Sequence, residues 1–168
     1  SVRDAHLDRH VAMKRLREET RDDPNMARLL VREARITGQL EHPNIIPIYD
    51  LGMLRSGDLF YTMRIAREDS LAAVVAGLDR DDPEFVKEYN ETRLLRVFRQ
   101  VCLAVAYAHS RGVVHRDIKP ENVLVGAFAE VQLIDWGVAE VLPDASVHVE
   151  PLYLRDASQS PGQSSLVG

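Results

Sequence analysis

The stretch VVHRDIKPENVLV, Val113 to Val125, sets a histidine, an arginine, two acids, a lysine and an asparagine between two patches of β-branched residues. Charges in that number are costly to bury unless paired, so their joint presence beside strand-forming residues calls for a shared anionic ligand. Phosphate transfer fits: cations meet phosphate oxygens, while carboxylates hold a bridging divalent ion and take up a proton. Three more charged groups stand apart in the chain. Lys14 ends VAMK, Glu33 follows nineteen positions later, and Asp135 sits in LIDWG.

These residues need elements to bring them together. His10–Leu16 (HVAMKRL) follows the charged turn DAHLDR and reads as the second strand of a hairpin. In RDDPNMARLLVREARITGQL, Asp23 can cap a helix and Pro24 suits its first position. Met26, Leu30, Glu33, Thr37 and Leu40 recur at three- and four-residue spacing and share one face. Glu33 therefore falls within a mainly apolar stripe and requires a partner. IIPIYDLGML and DLFYTMRIA read as strands around the Arg55–Asp58 turn, and Ser70–Gly77 as a short helix followed by an acidic connector, LDRDDPEF. Thr92–Ser110 carries a strong helical pattern: Leu94, Phe98, Val101, Val105 and Ala108, with Leu95 and Cys102 alongside. Gly112 stops it. Asn122–Val125 and Glu130–Ile134 read as strands joined by GAFA, and the pattern dissolves into a flexible loop after Leu142. The class is α+β with a small sheet lobe first.

With 168 residues, 45% apolar and 28% charged, the chain has the balance of an ordinary globular protein. Its net charge of -5 argues against a general nucleic-acid grip, which needs a basic face. A single cysteine, Cys102, cannot form an internal disulfide, so a reducing, cytoplasmic setting is expected, or the cytoplasmic part of a larger membrane-anchored protein. No apolar run reaches membrane-spanning length. Cys102 is expected in the core rather than as a reactive thiol.

HRDIKPEN resembles the catalytic loop of eukaryotic-type (Hanks-type) serine/threonine protein kinases, and its neighbours occur in that family's order. VAMK resembles the third-strand lysine motif, Glu33 the helix-C glutamate, and LIDWG the metal-binding DFG motif with Trp136 in place of phenylalanine. The resemblance implies ATP and Mg²⁺, with Mn²⁺ as an alternative, and protein substrates bearing Ser or Thr. Lys14 would meet the α- and β-phosphates, held by Glu33. Asp135 would hold the metal ion, Asn122 a second metal contact. Asp117 would accept the proton of the attacking hydroxyl, and Lys119 would stand by the transferred phosphoryl group. Met63 matches the gatekeeper, Arg64–Ala66 the adenine-binding hinge, Ser70 the ribose position, and Ala12 with Leu124 the residues enclosing adenine. His115 and Trp136 match the hydrophobic column of the active state. Arg116 matches the arginine that awaits a phosphorylated activation segment, for which Ser158, Ser160, Ser164 and Ser165 are candidate sites. The combination of ITGQLEHPNI with IDWGVAEVL resembles bacterial members.

The resemblance covers nearly the whole chain but only the middle of a kinase domain. It divides the chain into 1–69, a partial N-lobe; 70–142, the start of the C-lobe; and 143–168, a partial activation segment. The glycine-rich loop is expected before Ser1. SSLVG resembles the approach to the segment's APE end. The helix at 92–110 then has an apolar face with too few partners, a surface that favours a regulatory partner or a second copy. On this reading the chain is a fragment that transfers phosphate poorly alone. Two competing readings are a pseudokinase or regulatory ATP-binding module, against which the full set of Lys14, Glu33, Asp117, Asn122 and Asp135 speaks, and a small-molecule kinase of similar fold, against which KPEN speaks.

Overall fold

A computed structural model describes residues 1–65, 69–126 and 128–149. Strands β1 (Val2–Asp4) and β2 (Arg9–Arg15) form the expected hairpin. β3 (Ile48–Met53) and β4 (Leu59–Met63) form a second, turning at Gly57 with φ +86°, where a side chain would be strained. β2 pairs with β4, giving an antiparallel sheet in the order β1-β2-β4-β3.

Helix α1 (Pro24–Gly38) lies on this sheet. The Asp23 carboxylate accepts from the Asn25 N–H at 2.8 Å and satisfies one of the first turn's free donors. The buried band runs through Ala27, Leu30, Val31, Glu33, Ala34, Ile36 and Thr37. It is centred one position further on than the spacing suggested, which leaves Met26 at its margin and 37% exposed. Leu30, Ala34 and Tyr61 form a small core between helix and sheet, flanked by Leu16, Ile48, Leu51, Leu59 and Met63.

The second half contains α2 (Leu71–Asp79), α3 (Pro83–Glu88) and α4 (Glu91–Ser110). Short strands β5 (Asp69–Ser70), β7 (Val123–Val125) and β8 (Val131–Leu133) form one small sheet, and β6 (Val113–Val114) with β9 (Glu140–Val141) another. Both flank the stretch HRDIKPEN. A single larger core joins the end of α1 to this half through Ile36, Leu40, Ile45, Val97, Ala104, Val125, Leu133 and Trp136. The chain after α1 is also tied to β8: Ile45 bridges Leu133, whose N–H donates to Asn44 O at 2.8 Å. The α+β class is as expected.

Three local expectations are corrected. The acidic connector holds a helix, α3, because Asp82 caps it through the Glu84 N–H at 3.0 Å and Pro83 opens it. On α4, Leu94, Val101, Val105 and Ala108 reach the core, but Leu95 and Phe98 are 60% and 67% exposed and Cys102 is exposed too. Those three lie about a quarter-turn round from the buried stripe. Residues 143–149 are no free loop. Val147 is buried in the core, the Gln39 side-chain amide donates to His148 O at 2.9 Å and accepts from the His148 N–H at 3.0 Å, and Ala145 packs where Gly112, at φ +76°, leaves room for no Cβ. The four candidate phosphorylation serines, Ser158, Ser160, Ser164 and Ser165, lie outside the described residues.

Candidate active site

The register of β2 against β4 sets Ala12 opposite Met63 and Lys14 opposite Tyr61. Directly opposed residues leave a sheet on the same face, so all four side chains line one surface. α1 presents Glu33 to it. The Lys14 ammonium meets both carboxylate oxygens, Oε1 at 2.6 Å and Oε2 at 2.8 Å. Glu33 is 7% exposed, whereas the Lys14 side chain is 41% exposed. A buried carboxylate so paired gives up its hydration for a charged hydrogen bond, and the ammonium keeps an open side for a second anion.

Between β6 and β7 the chain makes the loop that carries Asp117, Lys119 and Asn122. Its anchor is His115, 1% exposed. The His115 Nδ1 accepts from the Asp117 N–H at 3.2 Å, so the proton lies on Nε2, which donates to Ile134 O at 3.0 Å. One ring thereby fixes both the start of the loop that carries Asp117 and the residue before Asp135. Burial, the dominant influence, lowers the His115 pKa below 6.5. The unfolded chain then binds a proton that the folded chain refuses. Stability is present above the ordinary histidine range and declines as pH falls through it. We expect the unfolding transition to need less denaturant at about pH 5.5 than at about pH 7.5, with His115→Gln narrowing the gap. An equal gap in both proteins would assign the effect to other groups.

Asp117 Oδ2 accepts from Lys119 Nζ at 2.7 Å and from Asn122 Nδ2 at 3.1 Å. The Lys119 hydrogen bond holds the Asp117 pKa below the usual carboxylate value and raises that of Lys119 in return. Asn122 is 5% exposed, and its amide nitrogen also donates to Asp117 O at 2.8 Å. Both donations use the nitrogen, which leaves the amide oxygen to face a cation.

Asp135 is exposed, next to Trp136 at 0% exposure. Its φ of +62° and the +68° of Arg116 lie in the left-handed region, which costs an ordinary residue energy and persists where neighbours impose it. The neighbours here are the His115 and Trp136 rings, 4.5 Å apart between centroids and inclined at 59°. Asp135 Oδ1 and Glu33 Oε2 stand 3.3 and 3.5 Å from where a Cβ on Gly137 would be, so the two carboxylates approach the same stretch of backbone, and a side chain there would press on Asp135 while only touching Glu33. Asp135 also faces Lys119 closely enough to help raise its pKa. Lys14, Glu33, Asp117, Lys119, Asn122 and Asp135 thus gather at one place, with three carboxylates against two ammonium groups.

Met63 ends β4, and the Arg64 N–H donates to Pro47 O at 3.3 Å. Ala66 lies outside the described residues. Ser70 caps α2 through the Ala73 N–H at 3.2 Å and is paired in register with buried Leu124. Arg116 meets Glu140 at 3.4 Å, an exposed pair of small energetic weight. Among the described residues no three His, Cys, Asp or Glu side chains form a metal cage. Mg²⁺ does not need one, because it is commonly held by one or two protein oxygens together with substrate phosphates and water. The Asp135 carboxylate and the Asn122 amide oxygen fit that requirement, and the surplus of carboxylates favours a cation.

Sequence reasoning missed Tyr61, whose hydroxyl donates to Glu33 Oε1 at 2.8 Å. Strand alternation offered one signal, since Tyr61 stands two residues before Met63 and shares its face.

A small sheet with one packed helix, a lysine–glutamate pair between them and an aspartate-bearing loop on the other side are the parts of a domain of the protein-kinase class. The family model described as "Protein kinase domain" matches residues 1–154, and the chain belongs to that family. It is similar to the serine/threonine-protein kinase PknD of Protochlamydia amoebophila (strain UWE25), 37% identical over 143 residues, covering 83% of this chain and 14% of that protein. PknD of Chlamydia pneumoniae is 34% identical over 134 residues, covering 78% and 14%. PknD of Chlamydia felis (strain Fe/C-56) is 34% identical over 151 residues, covering 84% and 16%. The chain therefore spans about one seventh of the length of these relatives. Among the described residues, no helix is long and apolar enough to cross a membrane.

Proposed function

We propose that the protein transfers the γ-phosphoryl group of ATP to serine or threonine hydroxyls of other proteins. The observation that carries this reading is the bidentate Lys14–Glu33 pair, made across nineteen residues and set beside the Asp135 carboxylate. Lys14 binds the α- and β-phosphates with its open side. Both contacts to the Asp117 carboxylate fall on Oδ2, so Oδ1 accepts the proton as the substrate oxygen bonds to the γ-phosphorus. The bond from that phosphorus to the β-bridging oxygen breaks, and ADP leaves with the electron pair. Lys119 offsets negative charge on the transferred group. Asn122 and Asp135 would hold Mg²⁺, which would neutralise the phosphate charge when bound. Ala12, Leu124, Met63 and the segment Arg64–Ala66 enclose the adenine, and Ser70 stands by the ribose.

Residues 1–69 serve as an N-lobe, 70–142 as the beginning of a C-lobe, and 143–168 as part of an activation segment. Arg116 exchanges Glu140 for a phosphorylated residue of that segment. The exposed Leu95 and Phe98 leave α4 available to a regulatory partner or second copy, and the 168-residue chain is poorly active by itself. The reaction is cytoplasmic, where ATP is supplied. KPEN after Asp117, and the relatives' designation as serine/threonine kinases, support a protein substrate.

The test is transfer of labelled γ-phosphate from Mg·ATP by the full-length protein, with Ser/Thr peptides, Tyr peptides and an aminoglycoside offered side by side. Label is expected on Ser/Thr alone and lost in Asp135→Asn. Nucleotide binding without transfer, or label only on the aminoglycoside, would overturn the assignment.

A further inference from the structure

We infer that Tyr61 is a positioning residue of the nucleotide site: its buried hydroxyl fixes the Glu33 carboxylate that aims Lys14 at the phosphates. The inference rests on the ATP-binding reading above and adds a member to it. Tyr61 lies directly across the ladder from Lys14, so both side chains leave the same face of the sheet. Its ring passes beneath the ammonium, with Nζ 5.9 Å from the ring centroid. Its hydroxyl continues to Glu33 Oε1, the same oxygen that Lys14 meets at the shorter of its two distances.

The two donors to that oxygen differ in stiffness. Lys14 is long, many-jointed and partly solvated, and holding it in one conformation costs entropy. Tyr61 has two side-chain torsions and is 3% exposed, with its ring packed against Leu30 and Ala34. The tyrosine is therefore the fixed arm. It holds Glu33 whether or not Lys14 is in place, and Lys14 settles against a carboxylate already oriented. Burial, with Glu33 beside it, keeps the hydroxyl protonated well beyond the ordinary tyrosine range, so it remains a donor. Lys14 and Glu33 thus form a triad with Tyr61 rather than an isolated pair.

Tyr61→Phe removes one oxygen and keeps the ring. In the full-length protein, calorimetric titration with Mg·ATP is expected to show roughly ten-fold weaker binding, the scale of a lost hydrogen bond to a charged group, with adenosine affinity unchanged. Adenosine carries no phosphate, so it reports the fold and the adenine pocket but not the aim of Lys14. Equal weakening of both ligands would reduce Tyr61 to a fold-supporting residue, and unchanged Mg·ATP affinity would remove it from the site; either overturns the inference. Lys14→Met is titrated in parallel. Selective loss of Mg·ATP there supports the underlying nucleotide site, whereas full retention would sink that reading independently of Tyr61.

Discussion

Asp117→Asn lowers phosphoryl transfer by roughly 10²–10⁴-fold, the usual worth of a positioned general base, and leaves Mg·ATP affinity unchanged. The substitution keeps the shape of the side chain and removes its charge. Asn122 still reaches the backbone carbonyl of residue 117, and the backbone N–H of that residue still donates to His115, so the loop keeps its anchors. The losses are the basicity that takes the substrate proton and the negative charge that Lys119 meets at 2.7 Å. Lys119 then has less reason to stay at the reacting centre, which adds to the rate loss without touching the Lys14 side of the cleft. Rates under saturating ATP and peptide, with nucleotide titrations on the same preparations, separate these effects. Transfer within a few-fold of wild type would remove Asp117 from the role of base, and a large fall in Mg·ATP affinity would place it against the triphosphate instead.

How far such residues can be found from sequence depends on whether the signal is local. RDDP occurs twice, at residues 21–24 and 80–83, and both times the second aspartate caps a helix that proline opens. The first was legible because a fifteen-residue amphipathic pattern follows it. The second precedes only six helical residues, and its acidic surroundings read as a connector. α4 shows the opposite difficulty. Its apolar residues cover more of the circumference than one neighbour can bury, and periodicity does not say which arc meets the core. Val97 and Ala104 are inside while Phe98 and Cys102 face solvent. Glu33 was legible because a charge in an apolar stripe demands a counter-charge, and Lys14 supplied it. Tyr61 demanded nothing: a tyrosine in a strand is unremarkable until the register sets it opposite Lys14. The left-handed backbone at Asp135 was equally silent, since aspartate tolerates that region without requiring it, and buried Trp136 follows directly.

That packing is the object of the second large effect. Trp136→Ala is expected to lower unfolding free energy by about 3–5 kcal/mol, the range for removing a large aromatic side chain from a core. Trp136 is wholly buried, its ring lies against His115, and its indole N–H reaches only a long contact of 3.5 Å to Leu133 O. The loss should therefore come from the cavity and the forfeited ring contact, and little from that hydrogen bond. Trp136→Phe distinguishes the two: it abolishes the hydrogen bond entirely but keeps an aromatic ring, and should recover most of the stability. Function should follow the ring as well. The His115–Trp136 contact braces both the loop that starts at Asp117 and the left-handed turn that presents Asp135. With alanine, those two carboxylates lose their common support, and transfer should fall even at temperatures where the domain remains folded. Denaturant unfolding followed by circular dichroism, which does not need the chain's single tryptophan, gives the stability term, and transfer rates well below the unfolding midpoint give the other. A phenylalanine variant as unstable as the alanine one would shift the weight to the indole N–H. An alanine variant that is destabilised yet fully active while folded would show that Asp135 holds its conformation without the aromatic pair behind it.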